Sequence, residues 1–533
     1  MRTIVLGVMT TVMVVTAVAL MLASGESVTL DSGRLSGVAG DDPTVRVYKG
    51  IPYAAPPVGD LRWRAPQPVK PWMGVKAADA FGPHCLGRLF GPPQPIAVSE
   101  DCLYLNVWAP AQSRGASLPV FAWIHGGGFQ GGSGSEPIFD GGAFARKGVI
   151  VVTFNYRTNV FGFLAHPELT KEDKYHASGN YGMLDQVAAL EWVKRNIGVF
   201  GGDPSRVTIA GESAGAYSVS ALTASPLARG LFHQAIAESG GYFMPKPGAM
   251  RPLGAAEKIG ADFAATLGAA DIADLRRRTA DDLMKAVVKM EDFFAFQPGI
   301  DGRFLQEPVY TTYARGQQAK VPLLIGSNTD EGAFLIPEQR PSAQEFEARL
   351  EQTFGAHTSD VRHLYPVDRP KALIRSELDL AGDGEFNYPM WKWAVTARQA
   401  GPVYYYLFGR TVPAAPGAQY KGIPRRDIGA LHGAEVAYVF GTLDKVSGTP
   451  KWETTDRELS AAMLNYWANF VKTGDPNGPG LPAWPRYEAK AHDPLMRFEG
   501  APRVTPDDRT PRMNTLDVAF QPHHKRTRAL GAR

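Results

Sequence analysis

The chain has 533 residues, of which 44% are hydrophobic and 20% charged, with a formal net charge of +3. This composition is that of an ordinary globular protein with a large core, and it excludes a disordered or fibrous chain. Because the two signs of charge are nearly balanced and interspersed, the sequence predicts no nucleic-acid partner. No cluster of Cys and His has the spacing of metal ligands, so no metal site is predicted.

The N-terminal segment has the pattern of an export signal. Arg2 precedes an apolar run over 4–22, and small residues follow at 23–25. We expect residues 1–25 to be a cleaved signal peptide, because the run ends in small residues and is interrupted by glycine and threonine. An uncleaved membrane anchor is the alternative, since the run is almost long enough to span a bilayer. Both predictions place the remainder of the chain outside the cytoplasm, as a secreted or periplasmic protein with no other membrane partner.

The chain has two cysteines, Cys85 and Cys102, separated by a segment rich in proline and glycine. Disulfides persist in the oxidising compartments that an export signal implies. We therefore predict one disulfide between them. Two unpaired buried thiols are the alternative.

From about residue 118 onward, apolar runs of strand length alternate with segments of helical spacing. The runs predicted as strands are 118–124, 149–156, 206–210, 234–239, 321–327 and 403–408, and 183–197 is predicted as a helix. Continuous apolar strands alternating with helices indicate an α/β fold, with a large, mostly parallel central sheet flanked by helices. No repeat or linker divides the chain, so we predict a single domain over 26–520 and a basic disordered tail over 521–533.

The sequence TIAGESAGAYS places Ser213 between a predicted strand and a segment of small residues that can begin a helix. Gly211 and Gly215 stand two positions before and after the serine. This is the G-x-S-x-G pattern of a sharp strand-to-helix turn, which exposes the serine hydroxyl as a nucleophile above the sheet. An ordinary Gly/Ser turn is the alternative.

A second glycine motif, HGGGF over 125–129, follows the predicted strand 118–124. Backbone amides without intervening side chains can stabilise the negative charge that develops on a carbonyl oxygen under attack. An HGGG turn upstream of G-x-S-x-G is the order found in α/β-hydrolases. Together the two motifs favour hydrolysis by a serine nucleophile.

A serine nucleophile needs a base and an acid, which in this fold follow in the order serine, acid, histidine. Glu331 follows the predicted strand 321–327, at the end of a strand where sites of α/β proteins are built. Asp330 beside it is a competing acid. His432, in a loop before an apolar segment, is the candidate base. The order excludes the earlier histidines, which are His84, His125, His166, His176 and His233.

The chain also resembles a known family over nearly its whole predicted domain. The matching segments are SEDCLYLNVW, HGGGF, GNYGMLDQVAALEWVKRNIGVFGGDPSRVTIAGESAGA, SNTDEGAF and LHGAEVAYVFG, in that order. Together they resemble the type-B carboxylesterase and cholinesterase family of α/β-hydrolases. The resemblance implies the α/β-hydrolase fold and the disulfide between Cys85 and Cys102.

The resemblance implies that Ser213 is the nucleophile, Glu331 the acid and His432 the base. It implies oxyanion donors at Gly127, Gly128 and Ala214. The implied activity is that of a serine carboxylesterase acting on small-molecule esters, with no cofactor. An amidase or other acyl hydrolase, and an adhesion or binding protein of the same fold, are the alternatives.

The loop between the cysteines departs from the cholinesterase pattern, because it lacks the tryptophan that binds a quaternary ammonium. Its one aromatic residue is Phe90. A general carboxylesterase is therefore the better match. The segments 239–250 and 290–301 are apolar and aromatic, and we expect them to contribute to the substrate pockets.

Overall fold

The structure is a computed structural model that describes residues 27–88, 97–244, 250–448, 451–488 and 493–520. The predicted signal peptide, the basic tail and Phe90 lie outside the described residues. Within the described ranges, no helix has both the length and the apolar composition needed to cross a membrane.

The main sheet has eleven strands among the described residues. In chain order they are β1 (Val38–Ala39), β2 (Val45–Pro52), β3 (Tyr104–Pro110), β4 (Leu118–Ile124), β5 (Ile150–Phe154), β6 (Gly202–Glu212), β7 (Gln234–Glu238), β8 (Leu323–Asn328), β9 (Val403–Phe408), β10 (Pro494–Phe498) and β11 (Arg503–Pro506). The spatial order is β11-β10-β9-β8-β7-β6-β4-β5-β3-β2-β1.

The centre of this sheet is parallel and its two ends are antiparallel. Strands β4 to β10 run in one direction. Strands β1 to β3 form an antiparallel meander against β5 at one end, and β11 pairs antiparallel with β10 at the other. The predicted fold class, an α/β-hydrolase fold with a mostly parallel central sheet, is confirmed.

Helices connect the strands. They are α1 (Gly142–Arg146), α2 (Asn159–Phe163), α3 (Pro167–Glu172), α4 (Tyr181–Asn196), α5 (Ala214–Ala224), α6 (Leu253–Thr266), α7 (Ile272–Arg277), α8 (Ala280–Val288), α9 (Val309–Ala314), α10 (Ala343–Phe354), α11 (Thr358–Val361), α12 (Pro370–Gly382), α13 (Tyr388–Ala397), α14 (Val436–Phe440), α15 (Thr454–Thr473) and α16 (Thr510–Phe520). A π-helical turn, Asp383–Asn387, joins α12 to α13.

Both faces of the sheet are buried, as its continuous apolar strands predict. In β4, Ala122 and Ile124 face one core, whereas Phe121 and Trp123 face the other. Helices α4, α5 and α13 contribute to the first core, and α1, α14 and α15 contribute to the second. Each predicted strand and the predicted helix are present within a few residues of their expected bounds.

The two cysteines form a disulfide with an S–S distance of 2.01 Å, which confirms the predicted pairing. Cys85 and Cys102 are both buried. The bond connects the short strand His84–Cys85 to the loop that leads into β3. It therefore ties the short strand His84–Cys85 to the start of β3 in the main sheet.

The junction of β6 and α5 packs closely against the end of β4. Parallel register pairs Gly211 of β6 with Ile124, the last residue of β4. A Cβ atom on Gly215 would lie 2.0 Å from the carbonyl oxygen of Ile124, closer than any non-bonded carbon and oxygen can approach. Glycine is therefore required at this position for the helix to begin where it does.

We expect Gly215→Ala to destabilise the fold by several kcal/mol, because the methyl group must displace backbone atoms. Gly254→Ala is the matched control, since no atom lies within 4 Å of its Cβ position in the exposed first turn of α6. Alanine there favours the helix by about 0.5–1 kcal/mol. Thermal unfolding of the two variants measures the difference. Equal melting temperatures would show that the close approach is not a constraint.

Candidate active site

Ser213 lies at the turn between β6 and α5 with a backbone conformation that non-glycine residues rarely adopt. Its φ is 56° and its ψ is −122°. Conformations of this kind cost about 1–3 kcal/mol and persist only where the surrounding structure imposes them. Here Ser213 N–H donates to the carbonyl oxygen of Glu238 at 2.9 Å, which holds the turn against β7. The strand-to-helix turn predicted from G-x-S-x-G is therefore present.

The HGGGF loop follows β4 and lies beside the Ser213 turn. Gly127 has a φ of 100° and Gly128 a φ of 62°, both in the region that favours glycine. Both glycines line the same cavity as Ser213 and Ala214, the first residue of α5. Among the described residues, none accepts a hydrogen bond from the amides of Gly127 and Gly128. These amides are available to bind an oxygen in the cavity.

Glu331 and His432, which are 101 residues apart, are in direct contact. Nδ1 of His432 lies 2.6 Å from Oε2 of Glu331, at hydrogen-bond distance. The Glu331 side chain is fully buried, and its Oε1 accepts from the backbone amide of Asn328. The imidazole packs against Phe334 and Phe386, with ring centroids 5.0 and 4.5 Å away. The carboxylate therefore orients a ring that aromatic contacts already confine.

Asp330, the competing acid of the sequence, points away from the imidazole. Its carboxylate accepts from the amide of Gly429 and pairs with Arg375. Its own amide donates to the carbonyl oxygen of Ala430 at 2.9 Å. Asp330 thus fastens the loop before His432 to the end of β8, while its neighbour Glu331 contacts the ring. Of the two adjacent acids, the geometry selects Glu331 as the partner of the histidine.

The second ring nitrogen of His432 faces the cavity beside another carboxylate. Nε2 makes no hydrogen bond to any described residue, and it lies 3.2 Å from Oε1 of Glu212. Burial alone would lower the pKa of His432, but the carboxylates of Glu212 and Glu331 outweigh burial and raise it to about 9. Burial also raises the pKa of Glu212, to about 7. The Glu212 carboxylate therefore favours the protonated form of the candidate base.

Ser213 and His432 line one cavity of about 750 Å³, the size of a small-molecule site. Most of its described lining is apolar or aromatic. The aromatic side chains are Phe129, Tyr217, Tyr242, Phe294, Phe334, Phe386 and Tyr420. The segments 239–250 and 290–301 contribute Tyr242, Met244, Phe294 and Gln297, as expected of pocket segments. The cavity suits a substrate with substantial apolar surface.

Two of the histidines that the chain order excluded, His125 and His84, make contacts away from the cavity. His125 is fully buried, stacks on Tyr156 at 4.3 Å and approaches its neighbour's carbonyl oxygen through Nδ1. Burial lowers its pKa to about 4, so it is neutral at physiological pH. His84 contacts the hydroxyl of Ser135 at 2.9 Å. Neither histidine is among the described residues that line the cavity.

Several residues that the sequence did not indicate belong to the site. Glu212 stands at a variable position of G-x-S-x-G, so the motif itself carries no signal for it. Glu435, one turn after His432, accepts from Oγ of Ser239 and the side-chain amide of Asn328. Burial raises the pKa of Glu435 to about 8. The one feature of the sequence that could have indicated Glu435 is its position three residues after His432.

Comparisons with known proteins find similarity over most of the chain. The model of the carboxylesterase family matches residues 24–516. Fumonisin B1 esterase of Sphingopyxis macrogoltabida is 40% identical over 484 residues, covering 88% of this chain and 85% of the relative. Para-nitrobenzyl esterase of Bacillus subtilis is 37% identical, covering 88% and 94%. A solved PNB esterase structure is 35% identical with a TM-score of 0.80, covering 92% of this chain and 99% of that one.

We expect Glu331→Gln to lower kcat for p-nitrophenyl butyrate by roughly 10³-fold or more, because the amide cannot stabilise the imidazolium. Asp330→Asn should lower it by less than about tenfold, because Asp330 contacts the loop and not the ring. Steady-state kinetics on the two isosteric variants measures the contrast. If Asp330→Asn caused the larger loss, the acid would be misassigned.

We expect Glu212→Gln to move the acidic limb of the kcat/KM profile to lower pH by about one unit. Catalysis requires neutral His432, and the Glu212 carboxylate favours the protonated form. Removing that charge therefore lowers the pKa of His432 and extends activity to more acidic conditions. A pH series on a neutral ester measures the shift. A limb that stayed in place or moved to higher pH would contradict this electrostatic account.

Proposed function

This chain belongs to the carboxylesterase family of ester hydrolases, and from that premise we propose that it hydrolyses small carboxylic esters through an acyl-enzyme on Ser213. The observation that carries the proposal is the 2.6 Å contact between buried Glu331 and His432 at the cavity that Ser213 lines. In that arrangement the proposed nucleophile and base border a space of substrate size, and the proposed orienting acid lies behind the base.

In the first half-reaction, Ser213 Oγ attacks the ester carbonyl carbon while Nε2 of His432 takes the hydroxyl proton. Glu331 accepts the hydrogen bond from Nδ1–H and stabilises the imidazolium. Negative charge develops on the carbonyl oxygen as the tetrahedral intermediate forms. The amides of Gly127, Gly128 and Ala214 are proposed to stabilise that oxygen. The tetrahedral intermediate then collapses: the bond between the acyl carbon and the alcohol oxygen breaks, His432 gives that oxygen its proton, and the acyl group stays on the serine.

In the second half-reaction, the same groups act on water. His432, neutral again after protonating the alcohol, removes a proton from a water molecule that attacks the acyl carbon. The oxyanion forms against the same amides, and His432 returns the proton to Ser213 as the carboxylic acid departs. Every proton transfer in the cycle passes through one imidazole nitrogen, and no cofactor enters a step.

An ester is favoured over an amide as the substrate class. The family is that of carboxylesterases, and the two relatives described above are named fumonisin B1 esterase and para-nitrobenzyl esterase. A binding protein without activity is disfavoured, because Ser213 and His432 line one cavity and Glu331 contacts His432. The largely apolar lining suits an ester with an alkyl or aryl portion.

We propose further that the enzyme acts outside the cytoplasm. The predicted signal over residues 1–25 is the first ground, and the disulfide between Cys85 and Cys102 is the second. Disulfides are rare in reducing compartments and persist after export.

We expect Ser213→Ala to lower kcat for p-nitrophenyl butyrate by roughly 10⁴-fold or more without changing the melting temperature by more than a few degrees. Ser218→Ala is the matched control, since Ser218 is buried in α5, which follows the Ser213 turn, and its hydroxyl contacts Gln186 instead of the cavity. It should retain most activity. An organophosphate should label the wild type once, on the peptide that contains Ser213. Labelling elsewhere, or an active Ser213→Ala, would refute the proposed nucleophile.

A further inference from the structure

The π-helical turn Asp383–Asn387 carries Phe386, whose ring packs against the imidazole of His432. Phe386 is buried, and the two ring centroids are 4.5 Å apart. π-Helical turns are rare, and many occur at functional sites. The position of this turn therefore limits how far the imidazole of the proposed base can shift or rotate.

The turn is attached to β8 through the residue that follows Phe386. The hydroxyl of Ser327, in β8, donates to the side-chain oxygen of Asn387 at 2.9 Å. β8 ends three residues before Glu331, the proposed acid. One neighbour of Phe386 is thus bonded to the strand that positions the acid.

Tyr217 attaches the same turn to α5 through the residue that precedes Phe386. Its hydroxyl donates to the backbone oxygen of Glu385 at 2.8 Å and lies 3.0 Å from Oε1 of the same residue. Its amide donates to the carbonyl oxygen of Ser213 at 2.9 Å, because Tyr217 lies in the first turn of α5. Tyr217 therefore connects the serine turn to the segment that confines the imidazole.

The hydroxyl of Tyr217 is a proton donor throughout the neutral pH range. Burial raises its pKa well above the ordinary value, and the carboxylate of Glu385 raises it further. Glu385 itself is exposed on the turn. Because a hydrogen bond with an exposed partner adds little to stability, we expect this contact to matter more for geometry than for folding.

We propose that Tyr217 is a positioning residue: its hydroxyl holds the π-helical turn against α5, and the turn in that place keeps Phe386 against the imidazole of His432. This inference rests on the esterase function proposed above and assigns Tyr217 a role within that reaction. Tyr217 takes no part in bond making or breaking. Because His432 acts in both half-reactions, a displaced imidazole slows acylation and deacylation alike.

Tyr217→Phe tests the inference, because it removes the hydroxyl and keeps the ring with its edge-to-face contact to Tyr242 at 4.9 Å. We expect kcat for p-nitrophenyl butyrate to fall by about tenfold, since small displacements of a catalytic group are costly. Burst-phase and single-turnover kinetics should show both half-reactions slowed by similar factors. KM should then change by less than about twofold, because it depends on the ratio of the two rate constants.

Tyr313→Phe is the matched control. The hydroxyl of Tyr313 lies 2.8 Å from that of Thr223, near the other end of α5, and Tyr313 is not among the described residues that line the cavity. The variant removes a tyrosine hydroxyl that contacts α5 but leaves the π-helical turn in place. We expect it to change kcat by less than about twofold. An equal loss in both variants would overturn the inference, because it would reflect a general loosening of the helix.

Phe386→Leu tests whether Tyr217 acts through Phe386. Substitutions that act through one contact are not additive, so in the Phe386→Leu background Tyr217→Phe should lower kcat by less than about twofold. The melting temperature of each variant should stay within a few degrees of the wild type.

A full tenfold loss in the Phe386→Leu background would overturn the inference. So would an unchanged kcat in Tyr217→Phe, or an effect confined to KM, which would indicate a contact with substrate. With an active wild type, these outcomes leave the proposed function intact. Absence of ester hydrolysis by the wild type would refute both.

Discussion

The site depends on one close approach, that of the start of α5 to the end of β4. Parallel register places Gly211 opposite Ile124, and the absence of a side chain on Gly215 lets the helix begin against the carbonyl oxygen of Ile124. The HGGGF loop leaves β4 at the next residue, so the amide-rich loop and the serine turn must lie side by side. The strained conformation of Ser213 is a consequence of the same packing. The proposed nucleophile and the proposed oxyanion donors are therefore held side by side before any substrate binds.

Around the imidazole, buried carboxyls form a second constraint. Glu331 and Glu212 contact its two nitrogens, and Glu435 lies behind them, bonded to Ser239 and Asn328. Burial raises the pKa of Glu212 and Glu435 to about 7 and 8, while the nearby carboxylates raise that of His432. Groups this close titrate collectively, so protons are shared among them across the neutral range. The charge of the site, and therefore the protonation state of His432, depends on all of these groups together.

The sequence predicted the fold class, the disulfide and the main strands, because continuous apolar runs, paired cysteines and glycine motifs are local signals. It named Glu331 through family resemblance, since Asp330 is its neighbour and satisfies the same chain order. Only packing separates the two, as Asp330 binds the Gly429 loop and Glu331 the ring. Glu212 could not be predicted, because its position beside the His432 ring arises from a contact between distant segments.

A crystal structure of the enzyme after reaction with a dialkyl p-nitrophenyl phosphate would test the central claim most directly. The account predicts a bond between phosphorus and Oγ of Ser213, with the phosphoryl oxygen about 3 Å from the amides of Gly127, Gly128 and Ala214. It also predicts an unchanged contact between Glu331 and His432. Phosphorus bonded to another residue, or a phosphoryl oxygen directed away from those amides, would contradict the account.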